Sequence, residues 1–100
     1  MTTYFVSRHP GARDWAEEEG IAVDLVLAHL DPADVVAGDT VIGSLPVNLA
    51  AEVCARGARY LHLSLELPAT LRGRELTAEQ MRGLGARVEE FRVERVERVE

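Results

Sequence analysis

The chain has 100 residues, enough for one core but not for a second catalytic domain. A formal charge of −6 argues against a protein that coats long DNA or RNA, though a local patch of arginine and free N–H groups would still take a small anion. The single cysteine, Cys54, excludes an intramolecular disulfide and a multi-cysteine metal site, and it reads as a small buried hydrophobe on a helix.

No apolar run approaches the ~20 residues of a membrane span. The N-terminus carries no basic leader, so no signal peptide is expected and the localisation expected is cytoplasmic. Thr3 to Ser7 (Thr-Tyr-Phe-Val-Ser) is a short, nearly continuous apolar run, which predicts a strand buried on both faces. Arg8-His9-Pro10-Gly11 stops it. Ala12 to Glu19 predicts a short helix anchored in the core by Trp15 and ended by Gly20. Val23 to Leu30 is the second predicted strand. Asp31-Pro32-Ala33-Asp34 has the form of a helix cap with proline in the first turn.

Thr40 to Leu45 is the third predicted strand, and Pro46 opens a helix that runs to Arg56 and stops at Gly57. Arg59 to Glu66 alternates, with Leu61, Leu63 and Leu65 on one face and His62, Ser64 and Glu66 on the other. That pattern predicts an edge strand, or one with a polar or subunit-facing side. Pro68 to Glu75 is a loop carrying Arg72 and Arg74. Thr77 and Gln80 form a capping box. Met81, Leu84, Val88 and Phe91 fall at helical spacing and predict one long helix from Thr77.

The alternation of strand and helix predicts an α/β fold: a mostly parallel four-stranded sheet flanked by helices in a single small domain over residues 1–92. Residues 93–100 are expected to be a charged tail or a short extra element. In such sheets ligands bind outside the carboxyl ends of the strands. That rule selects Ser7, Arg8 and His9 after the first strand, and His29 and Asp31 after the second. It also selects Ser44 with the following Leu45, Pro46 and Asn48 after the third, and Ser64 and Glu66 after the fourth. Arg8 suits bidentate phosphate binding and His9 suits proton transfer. Ser44, Asn48 and the helix N-terminus at Pro46 suit an anion. For His29 a half-buried structural role is the plainer reading, and Arg72 and Arg74 read as surface arginines able to close over a phosphate. No His, Asp or Glu spacing suggests a metal site, and no cofactor is expected.

Four segments carry a family resemblance over essentially the whole chain. They are Tyr4 to Ala12, Ala28 to Asp31, Gly38 to Ala50 and Leu61 to Pro68. The chain resembles a small CRISPR-associated family of the Csx type that accompanies type III CRISPR systems. The resemblance implies a Rossmann-like ring nuclease, a homodimer that binds a cyclic oligoadenylate, typically cyclic tetra-adenylate, and linearises it. The implied chemistry is metal-free: a ribose 2′-hydroxyl attacks the adjacent phosphodiester and leaves a 2′,3′-cyclic phosphate. Position and chemistry then give Arg8 to the phosphate and His9 to proton transfer. They give Ser7 to orienting the hydroxyl, and Ser44 and Asn48 to the ring. A non-catalytic sponge for the same ligand and an interaction subunit are the alternative readings. Neither long nucleic acid nor membrane is expected as a partner.

Overall fold

A computed structural model describes residues 1–96 of the chain. It contains the strands β1 (Thr3–Val6), β2 (Leu25–Leu27), β3 (Thr40–Gly43), β4 (Arg59–Ser64) and β5 (Arg87–Phe91). The helices are α1 (Pro10–Glu18), α2 (Val47–Ala55) and α3 (Ala78–Gly83). All five strands form one sheet in the order β2-β1-β3-β4-β5. The first four are parallel, and β5 runs antiparallel to β4.

Strand β1 lies between β2 and β3, and its side chains build both halves of the core. Phe5 packs with Trp15, Ile42 and Met81 on the face covered by α1 and α3. Tyr4 packs with Val41, Val53 and Tyr60 on the α2 face. Phe5, Val41, Ile42 and Val53 are essentially inaccessible to solvent. Burial of each such side chain is worth about 1.5–3 kcal/mol.

Local chemistry sets the ends of these elements. Pro10 stands at the first turn of α1, where its missing N–H costs nothing. Between β2 and β3 a short 3-10 turn, Pro32–Asp34, is capped by the Asp31 carboxylate, which accepts the Ala33 N–H at 3.0 Å. Asp39 is buried at the start of β3. Its carboxylate accepts the N–H groups of Val36 (3.0 Å) and Thr2 (2.9 Å). Those two donors, Val36 first, hold the carboxyl below its ordinary value.

The α/β reading with a mostly parallel sheet holds, and three details differ. The sheet has five strands rather than four, because the predicted long helix from Thr77 ends at Gly83. The capping box forms as expected: Gln80 N–H donates to Thr77 Oγ1 (3.1 Å) and Thr77 N–H to Gln80 Oε1 (2.9 Å). Gly85, at φ +74°, then turns the chain into β5. Met81 and Val88 still reach the same core face, one from a helix and one from a strand, which is why a helical stripe fitted both. Strand β4 is interior rather than at an edge, because β5 pairs along it from Tyr60–Phe91 to Ser64–Arg87. The second strand shrinks to Leu25–Leu27 at the sheet edge. Of the predicted tail, residues 93–96 follow β5 without regular structure and residues 97–100 lie outside the described part. No helix among the described residues is long and apolar enough to cross a membrane.

Candidate functional site

The strand order reverses at β1. The chain leaves β1 into α1 on one face of the sheet and leaves β3 into α2 on the other. A crevice opens between two strand ends that diverge in this way. Here it is a cleft of about 740 Å³. Ser7, Arg8 and His9 enter it from the end of β1, His29 from the end of β2, and Ser44, Leu45 and Pro46 from the end of β3. Leu63, Leu65 and Leu67 line the side toward β4. The loop before α3 adds Arg74, Glu75 and Leu76. Polar groups thus meet over a bed of leucines.

Several of these groups are held in place. Ser7 Oγ accepts the His9 N–H at 3.1 Å and so tightens the turn out of β1. Ser44 Oγ donates to Leu63 O at 3.0 Å, which ties the β3 turn to β4. The turn is fixed again from below by Tyr60. Its hydroxyl accepts the Leu45 N–H at 2.9 Å and donates to Gly43 O at 3.1 Å. It also lies within hydrogen-bond distance of His62 Nδ1, at 2.6 Å. Burial pushes the Tyr60 phenol up, against the opposing pull of the Leu45 N–H, and keeps it a donor. His62 is accordingly a structural residue of the support.

Gly11 has a packing role beside the cleft. A Cβ at Gly11 would stand 1.7 Å from Leu76 O and 2.9 Å from Leu76 C. The glycine therefore lets α1 lie directly on the backbone before α3. The same contact brings His9 and Glu75 together across the mouth of the cleft, with His9 Nδ1 3.2 Å from Glu75 Oε1.

Of the eleven residues selected from the strand-end rule and the resemblance, seven line this one cleft, Ser7, Arg8, His9, His29, Ser44, Leu45 and Pro46; Asp31, Ser64 and Glu66 do not. Nor does Asn48; it is exposed in the first turn of α2. His29 is exposed rather than half-buried, and Asp31 caps the 3-10 turn. Of the two loop arginines only Arg74 lines the cleft. Sequence reasoning missed Glu75 because its partner stands 66 residues away and no local pattern joins them. A second groove, of about 530 Å³, lies between α2 and Arg92–Arg95 beside Cys54. Its Arg92 and Arg95 are matched by Glu52 and Glu94, so it offers no net charge to a ligand. Among the described residues no three His, Cys, Asp or Glu side chains are placed to hold a metal ion.

Residues 4–94 match the model of a protein family, Cas_VVA1548, described as "Putative CRISPR-associated protein". The chain belongs to this family. The match takes in all of the sheet and its helices but Thr3 at the start of β1, and all of the cleft-lining side chains. No curated protein and no solved structure matches this Cas_VVA1548 chain.

Proposed function

We propose that this CRISPR-associated protein is a metal-independent ring nuclease that binds and linearises a cyclic oligoadenylate, cyclic tetra-adenylate first among them. The observation that carries the reading is the cleft at the reversal of strand order. It combines Arg8 and Arg74 for phosphate, His9 for proton transfer, and a leucine bed for the faces of the bases. A free helix N-terminus at Pro46–Val47 adds N–H groups on the same side of the sheet.

The chemistry needs little more than alignment and charge stabilisation. The 2′-oxygen attacks phosphorus, the bond to the 5′-oxygen breaks, and a 2′,3′-cyclic phosphate remains. Arg8 neutralises the phosphoryl oxygens and Ser7 orients the attacking hydroxyl. A cleft of about 740 Å³ is the size of an ordinary small-molecule pocket, smaller than a ring of four nucleotides needs. Two copies facing each other across a two-fold axis would divide the ring between them. The deciding experiment incubates limiting protein with excess cyclic tetra-adenylate in metal-free buffer and resolves the products by mass. Linear adenylates ending in a cyclic phosphate, over many turnovers, are expected. An intact ring overturns the enzyme, and titration of the same sample then separates a tight-binding sponge from a protein that ignores the ligand.

A further inference from the structure

We propose that Glu75 is the positioning residue of the cleft: its carboxylate holds the His9 ring by Nδ1, and leaves Nε2 as the atom that takes the proton. The reaction it serves rests on the ring-nuclease reading; the pairing itself rests on geometry alone.

His9 and Glu75 stand 66 residues apart in the sequence and meet at the cleft mouth, with Nδ1 and Oε1 3.2 Å apart. Both side chains are well exposed, 61% and 70%. Exposed pairs of this kind usually contribute little, because two flexible chains must be held in one arrangement. Here the backbones do much of the holding. His9 is the N-cap of α1, and Gly11, two residues on, lies against the Leu76 carbonyl so closely that no Cβ fits between them. Leu76 adjoins Glu75, and Thr77 starts the capping box of α3. The two side chains therefore leave from a pair of segments locked together on either side.

An ionised carboxylate only accepts hydrogen bonds. Glu75 therefore requires hydrogen on Nδ1 of a neutral His9 and fixes the tautomer with its lone pair on Nε2. Among the described residues Nε2 has no hydrogen-bond partner. In the cleavage step Nε2 takes the proton of the 2′-hydroxyl as the 2′-oxygen–phosphorus bond forms. The Glu75 carboxylate beside Nδ1 stabilises the resulting imidazolium. The 5′-oxygen departs on the far side of phosphorus and takes its proton from solvent, and Nε2 returns its own proton to solvent. Arg8 and Arg74 line the same cleft and are assigned to the phosphate in this reading.

The test uses the full chain and two substitutions, Glu75→Ala and Glu75→Gln. Nitrogen-15 shifts of the His9 ring, recorded where histidine is neutral, report the tautomer. The wild type and Glu75→Gln, whose amide oxygen still accepts, should hold hydrogen on Nδ1. Glu75→Ala should relax to a mixture of the two tautomers. With cyclic tetra-adenylate, Glu75→Ala should lower kcat about tenfold or more with little change in KM. Glu75→Gln should fall between it and the wild type, because it orients the ring without the charge. An unchanged nitrogen-15 signature in Glu75→Ala overturns the pairing. A changed signature with unchanged kcat overturns its part in the reaction. A wild type that does not cleave the ring defeats the ring-nuclease reading, and the reaction step with it. The spectra still decide the pairing, so the two failures are read apart.

Discussion

Replacing Gly11 by alanine adds one methyl group where the backbone leaves no room for it. The new Cβ would meet Leu76 O at 1.7 Å, Leu76 C at 2.9 Å and Thr77 Cα at 3.3 Å. The first is about half of an ordinary ~3.5 Å contact. All three atoms are main chain, so no side chain can swing aside. Either α1 or the Leu76–Thr77 segment must move, and strain of this kind costs about 1–3 kcal/mol. The contact is severe, so the upper end applies. Alanine's better helix propensity returns at most about 1 kcal/mol. A net loss of about 2 kcal/mol lowers the melting temperature of a domain this size by roughly 10 °C. Thermal unfolding followed by circular dichroism measures it. Gly83→Ala is the control: it is also a helical glycine, and a Cβ there meets nothing within 4 Å. A Gly11→Ala protein as stable as Gly83→Ala would refute the close approach of α1 to the loop, and with it the account of how His9 and Glu75 are brought together.

Arg8→Ala and His9→Ala should each slow ring cleavage at least tenfold, about 1.4 kcal/mol or more of barrier, at saturating ligand; unchanged turnover in both would remove the assignment. Tyr60→Phe leaves the Leu45 N–H without its acceptor, a loss of about 1–3 kcal/mol; the melting temperature should fall, and ligand affinity with it, because the Ser44 turn loses its support. Asp39 makes a pH-dependent contribution. Its carboxyl is depressed in the folded chain, so the stabilisation is fully present above the unfolded value of about 3.9 and fades as pH falls through the folded one. The melting temperature should accordingly drop below about pH 4, and Asp39→Asn should be less stable at neutral pH but lose less on acidification.

The parts of the fold that could be read in advance are those in which neighbouring residues carry the whole signal. The apolar run Tyr4-Phe5-Val6, the cap at Asp31 and the capping box at Thr77 are local, and each stands where it was expected. The strand-end rule then did most of the work for the site, because parallel strands bring Ser7, His29 and Ser44 to one side without any further information. Strand β5 escaped because a stripe through Met81, Leu84 and Val88 fits a helix as well as a helix followed by a strand; the spacing of Gly83 and Gly85 is the local sign that the helix stops. Glu75 escaped for a different reason. Its importance comes from packing α1 against the loop before α3, a contact that no window of sequence contains. Tyr60 likewise reads as a core aromatic, and only the folded chain puts its hydroxyl under the Gly43–Leu45 turn.

The two borders of the sheet are unlike. One is β2, three residues long, with Leu25 and Val26 about half exposed. The other is β5, where Arg87, Glu89 and Glu90 interrupt the apolar residues. Unpaired strand borders invite other chains to add on, and brevity and charge are two ordinary ways of discouraging them. Here the border with exposed aliphatic side chains is too short to template much pairing, and the longer one presents ions to any strand that tries. Lengthening β2 with apolar residues should therefore promote aggregation, read by light scattering.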